Sequence, residues 1–112
     1  MKLKLVPLRI PTGWIVTLND FTESFPEKFV TDEYEHRWEF KEDILQLRCK
    51  YKDQIVDLGW YPEFNVNGQY KVVLVDTSEK NEEVSFYWNV IEEFCSRSIE
   101  EIRMKIEEFL QG

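Results

Sequence analysis

Catalytic and metal chemistry has little to work with in this sequence. The 112 residues include one histidine, His36, and two cysteines, Cys49 and Cys95. Neither cysteine lies in a Cys-x-x-Cys or other metal-ligand spacing, and His36, inside Tyr34-Glu-His-Arg37, has no serine or cysteine beside it in sequence to activate. The four glycines, Gly13, Gly59, Gly68 and Gly112, stand singly, so no glycine-rich loop is available to cradle a phosphate. Asp32-Glu33 with Glu35 lacks the ordered spacing and the glycine of a calcium loop. Together these shortages predict a non-enzyme: no catalytic residues, no metal, no cofactor, and two reduced thiols buried as small apolar side chains.

Long apolar runs are also missing. No segment approaches the length of a membrane span, and Met1-Lys-Leu-Lys-Leu-Val-Pro-Leu-Arg9 has neither the apolar stretch nor the small-residue cleavage site of a signal peptide. A cytoplasmic location is the expectation. Positive charge is scarce: 14 Lys and Arg against 22 Asp and Glu give a formal charge of −8. Nucleic acid and anionic membranes are polyanions that attract Lys and Arg clusters, so both are poor partners, and a basic protein is the favoured one.

What is present suits a folded domain. Hydrophobic residues make up 43% and aromatics 15% of the chain, ample apolar material for a single domain over residues 1–112. Leu45, Leu47, Cys49 and Tyr51 alternate strictly with Gln46, Arg48, Lys50 and Lys52, the period-2 pattern of a half-buried antiparallel strand. Ile55 to Tyr61 reads as its return, stopped by Pro62. Tyr70 to Val75 and Val84 to Trp88 read as two more strands. An opening hairpin is expected from Leu3 to Leu8 and Trp14 to Leu18, joined at Pro11-Thr-Gly13, and Trp38 and Phe40 alternate with charged neighbours like a short strand. Ser98-Ile-Glu-Glu101 matches a capping box, and Ile99, Ile102, Ile106, Phe109 and Leu110 then share one helical face. The predicted fold class is α+β: a mostly antiparallel sheet of about six strands with one C-terminal amphipathic helix packed on one face.

Thr22 to Asp43 carries eight acids against three bases, with Phe25, Phe29, Tyr34, Trp38 and Phe40 set among them. With Trp38 and Phe40 taken as strand core, Thr22 to His36 remains as a long irregular loop. Glu27, Asp32, Glu33 and Glu35 are its candidate contacts for a basic partner, with Tyr34 as anchor. Tryptophans in alternating segments are read mainly as core. Trp60-Tyr61-Pro62-Glu63 is the exception, because it gathers bulky aromatics with Asp57 and Glu63 at a strand end, and aromatics are enriched at binding hot spots. Asp57, Trp60, Tyr61 and Glu63 are therefore a second group of partner-binding candidates.

Asp57-Leu-Gly-Trp-Tyr-Pro-Glu63, Asn67-Gly-Gln-Tyr70, Trp88, Ser96-Arg-Ser98 and the Gly13-Trp14 segment leading to Asn19-Asp-Phe21 together resemble small immunity proteins of bacterial polymorphic and contact-dependent toxin systems. The resemblance implies a non-enzymatic cytoplasmic inhibitor that binds a cognate toxin domain, often a nuclease, and blocks its active site or substrate groove. An acidic inhibitor suits a toxin with a basic groove, because opposite potentials raise association rate and specificity. The alternative expectation is a structural or regulatory module that acts by closing a homodimer through an exposed sheet face or edge, so monomer and homodimer both stay open. A hydrolase using clustered carboxylates stands third, since at this acid density neighbouring pairs carry no positional information.

Overall fold

A computed structural model describes residues 3–78 and 89–112 of the chain. Five strands, β1 (Trp14–Asn19), β2 (Leu45–Cys49), β3 (Gln54–Tyr61), β4 (Gln69–Asp76) and β5 (Asn89–Ser96), form one sheet in sequence order, every neighbour antiparallel, and α1 (Ile99–Gln111) closes the chain. Short 3-10 turns at Pro26–Lys28 and Arg37–Glu39 interrupt the long connection from β1 to β2.

Alternation along β2 decides which face is the core. Leu45, Leu47 and Cys49 are opposite Leu58, Val56 and Gln54 of β3, and cross-strand partners point to the same side. Trp60, paired with Tyr70, and Val72 continue that side. All are buried except Gln54, and α1 lays Ile102, Ile106, Phe109 and Leu110 over them. Trp14 Nε1 donates to Leu110 O at 3.0 Å, tying the first strand to the last helical turn. The opposite face carries Gln46, Asp57, Tyr61 and Val73, half-buried, with Ile55 and Val75 fully buried among them.

The helix starts where the sequence pattern places it, with a different relay. Ser98 Oγ accepts the Glu101 amide at 3.2 Å, but Glu101 Oε1 accepts from Ser96 Oγ, and that hydroxyl in turn accepts the Ser98 amide. Arg97, just before the cap, fastens the loops to this end of the sheet. Its guanidinium donates to four carbonyls, Val66, Gly68, Pro26 and Phe29, at 2.7–3.0 Å and stacks 4.9 Å from the Trp60 ring. Such a cation is engaged structurally, and its removal orphans several buried carbonyls at once.

The α+β class holds, with five strands among the described residues instead of about six. Leu3 to Leu8 does not hairpin with β1. Pro7 has no amide to donate, and the segment pairs instead with the stretch after β1 through an isolated bridge, Leu5 to Thr22, flanked by Val6 N to Phe21 O and Glu23 N to Lys4 O, both at 2.8 Å. β1 pairs with β2 instead, Trp14 opposite Cys49. Trp38 and Phe40 are not strand residues: Arg37–Glu39 is a 3-10 turn, and at about 120° per residue positions two apart diverge, whereas in a strand they would align. Phe40 is accordingly 0% exposed and Trp38 58%. Val84 to Trp88 lies outside the described residues. β5, which follows, has no alternation to reveal it, since Val90-Ile91 and Glu92-Glu93 are like neighbours and a bulge shifts its register against Leu74 and Val75. Of the two cysteines expected to be buried, Cys49 is and Cys95, on the helix-free face of β5, is exposed.

Candidate partner-binding surface

At one end of the sheet the residue 20–44 connection, the β3–β4 loop and the start of α1 meet. Aromatic side chains hold this end together from within. Phe29 and Phe40 stack with centroids 4.6 Å apart, Phe40 lies 4.5 Å from Trp60, and Trp60 meets Tyr70 edge-on at 5.0 Å. Trp60 Nε1 finds Asn65 O at 2.9 Å, so the indole is satisfied although fully buried. Burial drives the Tyr70 phenol up to about 12, partly offset by its hydrogen bond with Ser24, with the Glu27 and Glu39 charges adding to the rise.

Above that cluster the chain builds an acidic surface, and Gly59 is what permits it. Residues 41–44 run against the end of β3, with Trp60 N donating to Lys41 O at 2.8 Å and Ile44 N to Leu58 O at 3.1 Å. Between these bonds the Glu42 carbonyl presses so close to Gly59 that a Cβ there would sit 2.1 Å from its oxygen. Only glycine allows the crossing. It leaves Glu42 and Asp43 beside the outward residues of β3, Asp57 and Tyr61. Glu63 joins them, its Oε2 accepting the Glu42 amide at 2.9 Å.

The electrostatics register this gathering. The Tyr61 phenol is pushed up by burial and then by the charges of Asp57, Glu42, Asp43 and Glu63. The Asp57 carboxyl is also pushed up, first by burial and then by Asp43, although Gln46 Nε2 donates to it at 3.0 Å and works the other way. Lys71 Nζ stands over the Tyr61 ring, 4.8 Å from its centroid. Burial is thus the main cause at both groups, and the neighbouring carboxylates add a smaller part that an added positive charge would relieve.

Next to Glu63 stands an exposed aromatic pair. Phe64 occupies the left-handed region at φ 59°, its amide bonded to Phe40 O at 2.7 Å, and its ring meets Trp38 edge-on at 5.1 Å. Trp38 is 58% and Phe64 37% exposed, and Arg37 stacks on the indole at 4.6 Å. The β3–β4 loop is kept tight from beneath: a Cβ on Gly68 would fall 2.5 Å from Trp60 Nε1, so this glycine is needed for close approach, and Asn67 serves a local turn, its amide donating to Asn65 Oδ1.

Of the nine candidates from sequence, Asp57, Tyr61 and Glu63 converge on this surface. Trp60 does not. The alternation that turns its neighbour Tyr61 outward turns Trp60 into the core, where it is 0% exposed. Asp32, Glu33 and Glu35 are exposed along the 31–35 turn, and Glu27 is exposed in the first 3-10 turn. Tyr34 is half-buried, its hydroxyl donating to Ser24 O at 2.7 Å and its ring 6.1 Å from Phe29, so it anchors the loop to the domain. Burial, Glu27 and Glu35 push its phenol up. His36 Nε2 lies 3.7 Å from Glu35 Oε1. Sequence reasoning missed Glu42, Asp43, Trp38 and Phe64. The available signal was weak: Trp38 sits between the charged Arg37 and Glu39, but Phe40 two residues on makes it look like strand core.

No three or more His, Cys, Asp or Glu side chains among the described residues are arranged to hold a metal ion, and no described helix is long and apolar enough to cross a membrane. Comparison of the chain with family models, curated proteins and solved structures finds no match.

Proposed function

We propose that this protein is a non-enzymatic, cytoplasmic binding protein that covers a basic surface of another protein, and that the partner is the toxin domain of the immunity systems its sequence resembles. One observation supports the reading above the others: Phe64 of the exposed Trp38–Phe64 pair follows directly on Glu63, whose carboxylate joins Glu42, Asp43 and Asp57 among the charges that act on Tyr61. Aromatic anchors beside like charges form a surface that gains both desolvated contact and charge relief from a basic partner. The contact set differs from the one expected from sequence: Asp57, Tyr61 and Glu63 remain, Trp38 and Phe64 take the place of the expected anchor Tyr34 and of the candidate Trp60, and Glu27, Asp32, Glu33 and Glu35 become a flanking acidic field.

The test is titration, at several salt concentrations, against any toxin-like C-terminal domain found in the reading frame immediately upstream. Reversing Glu42 and Glu63 to Lys is expected to slow association by roughly tenfold or more, and reversing Asp32 and Glu33 by less. Unchanged kinetics in the first double variant would remove the sheet-end surface from the reading, and no complex in any condition would remove the reading itself.

Self-association is the second reading. Ile15 and Val16 on β1 and Val90 and Ile91 on β5 are 41–52% exposed on the two outer strands of the described sheet. Outer strands present unpaired backbone groups that a second copy can extend. Sedimentation of the protein alone decides between the two: a tight dimer favours this reading and a monomer the first.

A further inference from the structure

A second feature at the same end of the domain is independent of the Trp38–Phe64 surface and points to a more specific contact. Beside the start of α1 lies an open pocket of about 720 Å³ with a mostly apolar lining, to which Phe25 and Ile99 contribute together with Glu23, Glu27 and Glu100. Phe25 is held in the left-handed region at φ 55° immediately before Pro26, a conformation bulky residues avoid, and its ring is 41% exposed. Pro26, which opens the first 3-10 turn, and Phe29, which follows it, are both buried. The backbone is therefore strained where it presents an aromatic face to solvent.

That face already attracts a cation. Lys28 Nζ sits 4.9 Å from the Phe25 centroid. Glu23 and Glu27 make no side-chain hydrogen bond or ion pair with any described residue. Glu100 is paired with Arg103 on its own helix, and the one positive lining group, Arg97, has its guanidinium turned to four backbone carbonyls. The amides at the start of α1 would favour an anion, but Ser98 Oγ caps one of them and three glutamates line the pocket.

We propose that this pocket receives a single arginine or lysine side chain from an extended segment of a basic protein partner, the aliphatic stem lying on Phe25 and Ile99 and the cationic head reaching Glu23 and Glu27. Charge complementarity selects the occupant: an apolar lining suits the methylene stem, a ring face suits the cation, and unpaired carboxylates suit its hydrogen bonds. A neutral apolar side chain would leave both carboxylates unused, and an acidic one would be repelled by them.

The test uses acetyl-Gly-Arg-Gly-amide and its citrulline twin, which keeps the shape and loses the charge, titrated into the isotope-labelled protein by NMR. The arginine peptide is expected to shift amides in residues 23–28 and 97–100 with a dissociation constant of roughly 1–10 mM, as befits one side chain. The citrulline peptide should shift them at least several-fold more weakly. Glu27→Gln should weaken arginine binding several-fold, and Phe25→Gly, which suits the left-handed backbone and removes only the ring, should abolish the localised shifts without unfolding the protein. Glu63→Gln should leave them unchanged, which separates this pocket from the Trp38–Phe64 surface. Equal binding of the two peptides, shifts scattered over the acidic surface without preference for these residues, or no shift at all would overturn the proposal.

Discussion

Trp60 and Trp38 belong to the same end of the molecule and have opposite fates. Trp60 is wholly enclosed, stacked under Arg97, in contact with Phe29, Phe40 and Tyr70, with its indole nitrogen satisfied by Asn65. Trp38 is 58% exposed, with Phe64 edge-on to its ring and Arg37 stacked on it. The inner cluster is what a loop with so little regular hydrogen bonding needs to stay folded, because its order comes from ring packing in place of a ladder. The outer pair adds little to that order. A side chain of this size kept where it contributes little to folding is better explained by contact with another molecule.

Breaking the comparison requires only that the two tryptophans behave alike. Trp60→Ala is expected to destabilise the domain by about 3–5 kcal/mol and Trp38→Ala by less than about 1 kcal/mol, measured by chemical denaturation. Similar losses at both positions would show that the exposed ring is structural after all. In binding the order should invert: Trp38→Ala, with stability intact, should weaken partner affinity by about 2 kcal/mol or more, a 30-fold loss. An affinity equal to that of the parent protein would take the anchor role from Trp38.

Gly59 links the two regions, since its missing Cβ lets the acidic strip cross over the strand that buries Trp60. Gly59→Ala should cost roughly 1–3 kcal/mol by forcing the Glu42 carbonyl away, the range for an overpacked site. It should also loosen Glu42 and Asp43 and so slow association in the same variant. A loss of stability with unchanged association would separate the crossing from the binding surface.

Much of the inner region was legible in the sequence and little of the outer one. Strict alternation located β2, the Pro62 stop located the end of β3, and the capping box with its apolar stripe located α1, because each rests on a local period that packing then satisfies. Trp38 and Phe40 were misplaced because two residues spaced by two look identical in a strand and in a 3-10 turn, and only tertiary contact of Phe40 with Phe29 and Trp60 decides between them. Trp60 was assigned to the surface on the company of Asp57 and Glu63, although the period-2 rule that sends Asp57 and Tyr61 outward sends it inward. Asp57 and Glu63 were grouped from their place at one strand end, but Glu42 and Asp43 join them only by the passage of the chain over Gly59, a non-local event with no sequence pattern of its own.

The smallest expected effect is also the sharpest test of whether the acidic surface exists for folding or for a partner. Asp57 has its carboxyl pushed above the usual range, so the folded protein binds its proton more tightly than the unfolded chain does. The protonated form therefore favours the fold. That contribution is fully present below the unfolded value, about 3.9, and is lost as pH rises through the higher folded value, which leaves the charged carboxylate a net cost at neutral pH. Asp57→Asn removes the charge while its amide oxygen can still accept from Gln46. The variant should be slightly more stable than the parent at pH 7, by less than about 1 kcal/mol given how much solvent reaches the group. This advantage should shrink as the pH is lowered and vanish once the parent carboxyl is itself protonated. The same substitution takes one charge from the cluster, so association with a basic partner should slow as stability rises. Opposite signs in the two measurements mark a residue kept for binding at the expense of folding; a variant that is less stable at neutral pH, or that associates as fast as the parent, would place Asp57 on the structural side of the comparison with Trp60.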